Sequence, residues 1–218
     1  MLKLNLGCGQ IRPDGWINTD SSLNSLIQQF LVGRLIAKLM GSTSYQSSNA
    51  KYMSLNRRWK FKGESVDIVY ASHLFEHLSI KSTKLFLNEA YRTLKSGGII
   101  RLVIPDLLSN ASEYVMENEK GNKEAAAQFM WVLNLHREGQ YPKGNLMHDL
   151  IGWMQGWPHQ HKYMYDSYSL TQLFKEAGFE KIEESVYGES STIQDITSVE
   201  DPAIGGYGNS LYMEAIKK

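Results

Sequence analysis

The run LNLGCGQ, Leu4 to Gln10, joins two glycines to a short apolar segment near the start of the chain. A second apolar run, Trp16 to Thr19, ends on an acid, Asp20. Leu2, Leu4 and Leu6 alternate as a strand does. Gly7 and Gly9 allow a tight turn and a close backbone approach to a ligand, because neither carries a Cβ. Strand, glycine turn, strand and acid is the arrangement by which an open α/β sheet holds the adenosine part of a nucleotide-like cofactor.

A dinucleotide site adds a third glycine and a helix that starts in the turn and cradles the pyrophosphate. Here the third glycine position is Arg12, and the six residues Gln10 to Gly15 include Pro13 and Gly15. A regular helix cannot form there. NAD is therefore disfavoured, and with it a nucleotide-dependent oxidoreductase. S-adenosylmethionine (SAM) carries no phosphate. It asks for a close backbone approach, which Gly7 and Gly9 offer, and an acceptor for the ribose hydroxyls, which Asp20 offers. Cys8 sits inside the turn, where a small side chain is needed, and reads as packing and not as a nucleophile.

Three further places carry chemistry. His73-Leu74-Phe75-Glu76-His77 matches H-x-x-E-H, an inverted zinc-protease pattern. No third ligand suggests itself, so no metal is expected; Glu76 and His77 read as bracing the following helix. His73 itself falls at the mouth of an apolar strand, where open α/β sheets bind ligands. Asp106 follows the next strand and reads either as a mouth-facing acid or as a turn acid after Pro105. Between residues 139 and 168 lie His148-Asp149, His159, His161 and the aromatics Trp153, Trp157, Tyr163, Tyr165 and Tyr168. The aromatics form either an acceptor wall or the small core of an insertion, His148-Asp149 reads as a further candidate dyad, and His159 and His161 fall within the insertion, where a solvent-exposed loop histidine is the alternative.

The elements that must position these groups follow from periodicity. Lys51–Leu55, Val66–Ala71, Ile99–Ile104, Ile182–Tyr187 and Ser210–Ile216 read as strands. Residues 80–95, ended by Ser96-Gly97-Gly98, read as a helix, as do Asn122–Arg137 and Ser169–Ala177. The stripe Leu23, Ile27, Phe30, Leu31, Leu35 and Leu39 has helical spacing. It packs on the sheet, on a membrane interface or on a neighbouring subunit. Gly41–Ala50 reads as a loop. The alternation of strand and helix up to Asp106 argues for a parallel sheet covered on both faces.

Composition sets the outer bounds. The chain has 218 residues, with 23 Lys+Arg against 23 Asp+Glu and no net charge. That balance removes the footprint of a general nucleic-acid binder. The one basic cluster, Arg57, Arg58, Lys60 and Lys62, is short and reads as a solvated loop. The single cysteine excludes an intrachain disulfide and suits a reducing cytoplasm. No signal peptide or transmembrane run is visible.

In their order, the segments LNLGCGQIRPDGWINTD, VDIVYASHLFEHL, LNEAYRTLKSGGIIRLVIPDL and HKYMYDSYSLTQLFKEAGF resemble the class I SAM-dependent methyltransferases, particularly small bacterial ones of the methyltransferase type 11 kind. The resemblance implies an α/β, Rossmann-like sheet of seven strands in the order 3-2-1-4-5-7-6. The sheet is mostly parallel with the last strand antiparallel, helices cover both faces, and the whole is one domain with a substrate-side insertion at about 107–165. It implies SAM as cofactor, bound by Asn5, Gly7, Cys8, Gly9 and Asp20, by Ser54 and Leu55 after the third strand, and by Ser72 and His73 after the fourth. Asn5 departs from the Asp or Glu common in the family at that place and brings no charge. The resemblance adds His161 to His73 and Asp106 as candidate catalytic groups, through an H-x-x-x-Y-D segment completed by Tyr165 and Asp166. It implies a small-molecule acceptor of the sugar or glycan-precursor kind. A catalytically silent partner subunit of the same fold is the alternative.

Overall fold

The computed structural model describes residues 1–21, 50–134, 160–202 and 209–218. The 23–40 stripe, the Gly41–Ala50 loop up to residue 49, His148, Asp149, Trp153, Trp157 and His159 lie outside the described residues. Seven strands form one sheet: β1 (Lys3–Leu6), β2 (Trp16–Asp20), β3 (Ala50–Tyr52), β4 (Val66–Ser72), β5 (Leu94–Pro105), β6 (Phe179–Ser185) and β7 (Ser210–Lys217). Their order is β3-β2-β1-β4-β5-β7-β6. Strands β1 to β5 pair in parallel, and β7 runs antiparallel to both β5 and β6. Topology and strand direction agree with the expectation from the sequence.

Alternating side chains sort onto two faces, as the strand pleat requires. On one face Leu4, Leu6, Val69, Ala71, Ile100 and Leu102 meet two helices, α1 (Ile80–Thr93) and, late in the chain, Ser167–Glu176. Ser79 caps α1 by accepting from the Ser82 N–H, and Thr83, Phe86, Leu87 and Ala90 supply its buried stripe at helical spacing. On the other face Ile68, Tyr70, Ile99, Val103 and Tyr212 lie beneath Ile193, Ile196 and Val199.

That second face also buries Arg101 completely. Its guanidinium donates to Glu200 and Glu214 at 2.7 Å each, to Ser185 Oγ at 2.9 Å and to the carbonyls of Glu189 and Val186 at 3.0 and 2.9 Å. Burial of such a charge is sustained only when it is paired and its donors are used. Two carboxylates and three further acceptors meet that condition.

The structure corrects several boundaries. Gly97-Gly98 does not separate a helix from a strand: β5 already begins at Leu94, which pairs with Val66, and the register shifts before Ile68 meets Ile99. The glycines form an irregularity inside the pairing, with Gly97 at φ +77°. The strand expected at 51–55 ends at Tyr52, and that expected from Ile182 starts at Phe179. A helix absent from the sequence reading, α2 (Leu107–Glu119), follows Asp106 directly. It is joined by α3 (Ala125–Val132), shorter than the expected Asn122–Arg137 helix, while Ser167–Glu176 becomes α4. Among the described residues no helix is long and apolar enough to cross a membrane.

Candidate active site

Register brings the glycine turn and the acid together. Leu6 pairs with Thr19 on one side and Ala71 on the other, so Gly7 follows at the level of Asp20 and Ser72. Asp20 in turn pairs with Tyr52. The C-terminal tips of β3, β2, β1 and β4 thus form one rim. The turn is tied to that rim by the Cys8 N–H donating to the Thr19 carbonyl at 2.9 Å.

Gly7 and Gly9 both take positive φ, +65° and +48°. A Cβ at Gly7 would lie 3.0 Å from the Leu74 side chain, whereas one at Gly9 would meet nothing within 4 Å among the described residues. The backbone at Gly9 is therefore reachable by a ligand. Arg12 props the turn by donating from Nε to the Gly9 carbonyl at 2.9 Å. Buried Asn5 donates from Nδ2 to the Ile11 carbonyl at 2.9 Å and to Asn18 Oδ1 at 3.0 Å. It thereby fastens the loop that returns to β2. Burial pushes the Cys8 thiol up, and the Asp20 carboxylate adds to this against the opposing Arg12. A thiol held protonated fits packing.

Ser54 is half-buried and Leu55 is buried in the core beside β3. The Ser72 hydroxyl is buried at the tip of β4. His73 comes next with φ +46°, a left-handed conformation uncommon outside glycine. Its N–H donates to the Val103 carbonyl at 2.9 Å, and its Nε2 lies 3.4 Å from Ser210 Oγ. Burial first, then the neighbouring His77, pushes its pKa down to about 4. A neutral imidazole thus borders a cavity of about 1010 Å³ between the tips of β4 and β5 and helices α2 and α3. His161, Asn110, Glu113, Trp131 and Ser210 also line that cavity.

Asp106 has a structural task. Its carboxylate caps α2, accepting from the Leu108 and Ser109 N–H groups at 3.2 Å each. The H-x-x-x-Y-D segment divides in the same way. Tyr165 is buried against Phe75 with its hydroxyl 3.1 Å from Thr83 Oγ1, and Asp166 caps α4 in a capping box with Ser169. Of the remaining described aromatics, Tyr163 and Tyr168 are exposed. His161 alone of the three points into the cavity wall.

Glu76 does not brace α1, which Ser79 caps. It lies in a 3₁₀ turn, Phe75–His77, with its side chain 1% exposed. Neither carboxylate oxygen has a hydrogen-bond partner among the described residues. Burial pushes its pKa up to about 8. Three imidazoles surround it: His73 Nδ1 at 3.5 Å and Nε2 of His77 and of His161, each at 3.9 Å from the same oxygen. The sequence reading missed Glu76 as the centre of this cluster because the third histidine arrives from far along the chain.

A seven-stranded sheet in this order, with a glycine turn after β1 and an acid at the tip of β2, is the architecture of the class I SAM-dependent methyltransferases, as the motifs had implied. Residues 36–102 match the family described as "Methyltransferase domain". The chain superposes on a SAM-dependent methyltransferase from Archaeoglobus fulgidus with a TM-score of 0.51 and 14% identity, over 99% of this chain and 86% of that one. A SAM-dependent methyltransferase from Thermotoga maritima gives 0.46 at 16% identity, over 100% and 82%. No curated protein matches the chain in sequence.

Proposed function

We propose that the chain transfers a methyl group from SAM to a small-molecule acceptor seated in the cavity beside His73. The observation that carries this is the space that the described residues leave open at Gly9, in the turn whose first glycine, Gly7, stands level with Asp20 on the neighbouring strand tip. When bound there, SAM supplies a methyl group already activated on a sulfonium. Gly7, Cys8 and Gly9 offer backbone at close approach, Asp20 accepts from the ribose hydroxyls, and Ser54, Leu55, Ser72 and His73 border the rest of the cofactor. Asn5 acts one step back, holding the loop that carries Arg12.

The chain's own contribution is placement. Holding two reactants in line is worth about 7–11 kcal/mol of barrier. His73 is the candidate base by position, since it joins the cofactor rim to the cavity. Asp106 and His161 complete the candidate set, with the Asp106 carboxylate already shared between two backbone donors. Amides, hydroxyls and the exposed Trp131 ring in the cavity wall support a polyhydroxylated acceptor, of the sugar or glycan-precursor kind that the resemblance implies. Calorimetry with SAM and S-adenosylhomocysteine tests the reading. Both ligands should bind, and NADH should not. A folded chain that binds neither adenosyl compound would be a silent relative of the fold.

A further inference from the structure

We infer that Glu76, His77 and His161 form a binding site for a divalent first-row cation of the zinc type. The inference does not use the glycine turn; it shares only His161 with the methyl-transfer reading and does not rest on it.

Glu76 poses the problem that a cation solves. A carboxylate ordinarily accepts several hydrogen bonds, and a buried one without them is costly. Among the described residues both Glu76 oxygens lack any such partner. The histidine contacts at 3.5–3.9 Å are too long to be hydrogen bonds. An ion between these groups gives the buried carboxylate its partner.

Spacing and chemistry fit. One donor atom each from Glu76, His77 and His161 lies within 4.8 Å of the others. Zinc holds nitrogen and carboxylate donors at about 2.0–2.2 Å, which sets tetrahedral donor–donor edges of about 3.3–3.6 Å, so the 3.9 Å pairs close by a few tenths of an ångström and the widest pair by up to about 1.5 Å. His77 Nδ1 lies 3.2 Å from the Gln160 carbonyl. An N–H there leaves the lone pair on Nε2, turned toward Glu76. Metal-binding histidines are fixed in this way by a second partner on the other nitrogen.

The backbone presets the site. The N–H groups of Lys162 and Tyr163 donate to the Glu76 carbonyl at 2.8 and 3.3 Å, which locks His161 beside the 3₁₀ turn. The His77 and His161 rings stand edge to face with centroids 4.9 Å apart. Two imidazoles and one carboxylate suit zinc, whereas magnesium and calcium favour all-oxygen sets. Three protein donors leave a fourth position for water or an incoming oxygen. His73, which joins this cluster to the cavity wall, marks the side from which it would come.

The test is metal content. Protein purified from zinc-supplemented culture without chelator should carry about one equivalent of zinc by plasma mass spectrometry. After stripping, cobalt(II) should titrate in with the visible bands of a four-coordinate ion. His77→Ala and His161→Ala should each weaken binding at least 100-fold. Glu76→Gln keeps the shape of the neutral acid and should fold, yet gain no thermal stability from added zinc. A wild-type chain with native circular dichroism that retains no zinc and gives no cobalt bands overturns the inference. So does unchanged stoichiometry in a folded His77→Ala/His161→Ala double variant. Activity enters none of these readouts, so failure here leaves the methyl-transfer reading intact.

Discussion

Replacing Asp20 by alanine should weaken S-adenosylhomocysteine binding by about 30- to 700-fold. Register puts Asp20 level with Gly7, at the tip of the strand beside the turn. A charged acceptor contributes about 1.5–3 kcal/mol per hydrogen bond, and a ribose edge presents two hydroxyls. Because Asp20 is half-exposed, water recovers part of that on removal, leaving a loss of about 2–4 kcal/mol; each 1.4 kcal/mol is tenfold in affinity. Asparagine, which keeps one acceptor oxygen without the charge, should cost about tenfold. The fold should tolerate both, because the β2–β3 link at this residue runs from the Met53 N–H to the Asp20 carbonyl at 3.0 Å. Removal of the carboxylate should also lower the Cys8 thiol pKa, a check available without ligand. Calorimetry on variants with wild-type melting curves decides the matter. An affinity within about threefold of wild type would place the adenosine elsewhere.

Arg101→Met strands Glu200 and Glu214 as buried unpaired acids and should cost about 3–5 kcal/mol in urea unfolding, whereas a variant that also carries Glu200→Gln and Glu214→Gln should recover much of it. Asp106→Ala removes the α2 cap and should cost about 0.5–2 kcal/mol; if the carboxylate serves mainly as a cap, turnover at saturating SAM should survive. Glu89 is held below its ordinary pKa by hydrogen bonding to Arg92, so its contribution is present above the unfolded carboxylate value of about 4.3 and is lost as pH falls through the folded value. Denaturant midpoints between about pH 6 and pH 2 should therefore fall less steeply for Glu89→Gln than for wild type.

Strands β4 and β5 were legible because each is a nearly continuous apolar run, and α1 because it carries a stripe, whereas the strand order came from the family resemblance alone. Where those signals fail, so did the reading. Helix α2 buries Asn110 alone and shows no stripe, which left its existence to the capping acid Asp106. Gly97-Gly98 carries the residue types of a helix stop, yet the pairing of β4 with β5 resumes around it. Arg101 stands as the one charge in IIRLVIP, a visible anomaly whose partners no local pattern reveals. The Glu76 cluster was half legible as H-x-x-E-H. Its missing member lies beside Gln160, which the fold brings to His77 from 83 positions away.

The place of β7 between β5 and β6 sets an order of assembly. β6 is synthesised before the strand it pairs with, and Arg101 must wait for Glu200 and Glu214, 99 and 113 positions further on, before its charge is fully matched. Until β7 inserts, the open edge of β5 offers unpaired backbone groups to any passing strand, and the arginine stays hydrated. Such distant pairing slows folding. A ribosome-bound chain should therefore hold a docked β1–β5 half long before protease resistance reaches the remainder, and completion should coincide with emergence of residues 210–217.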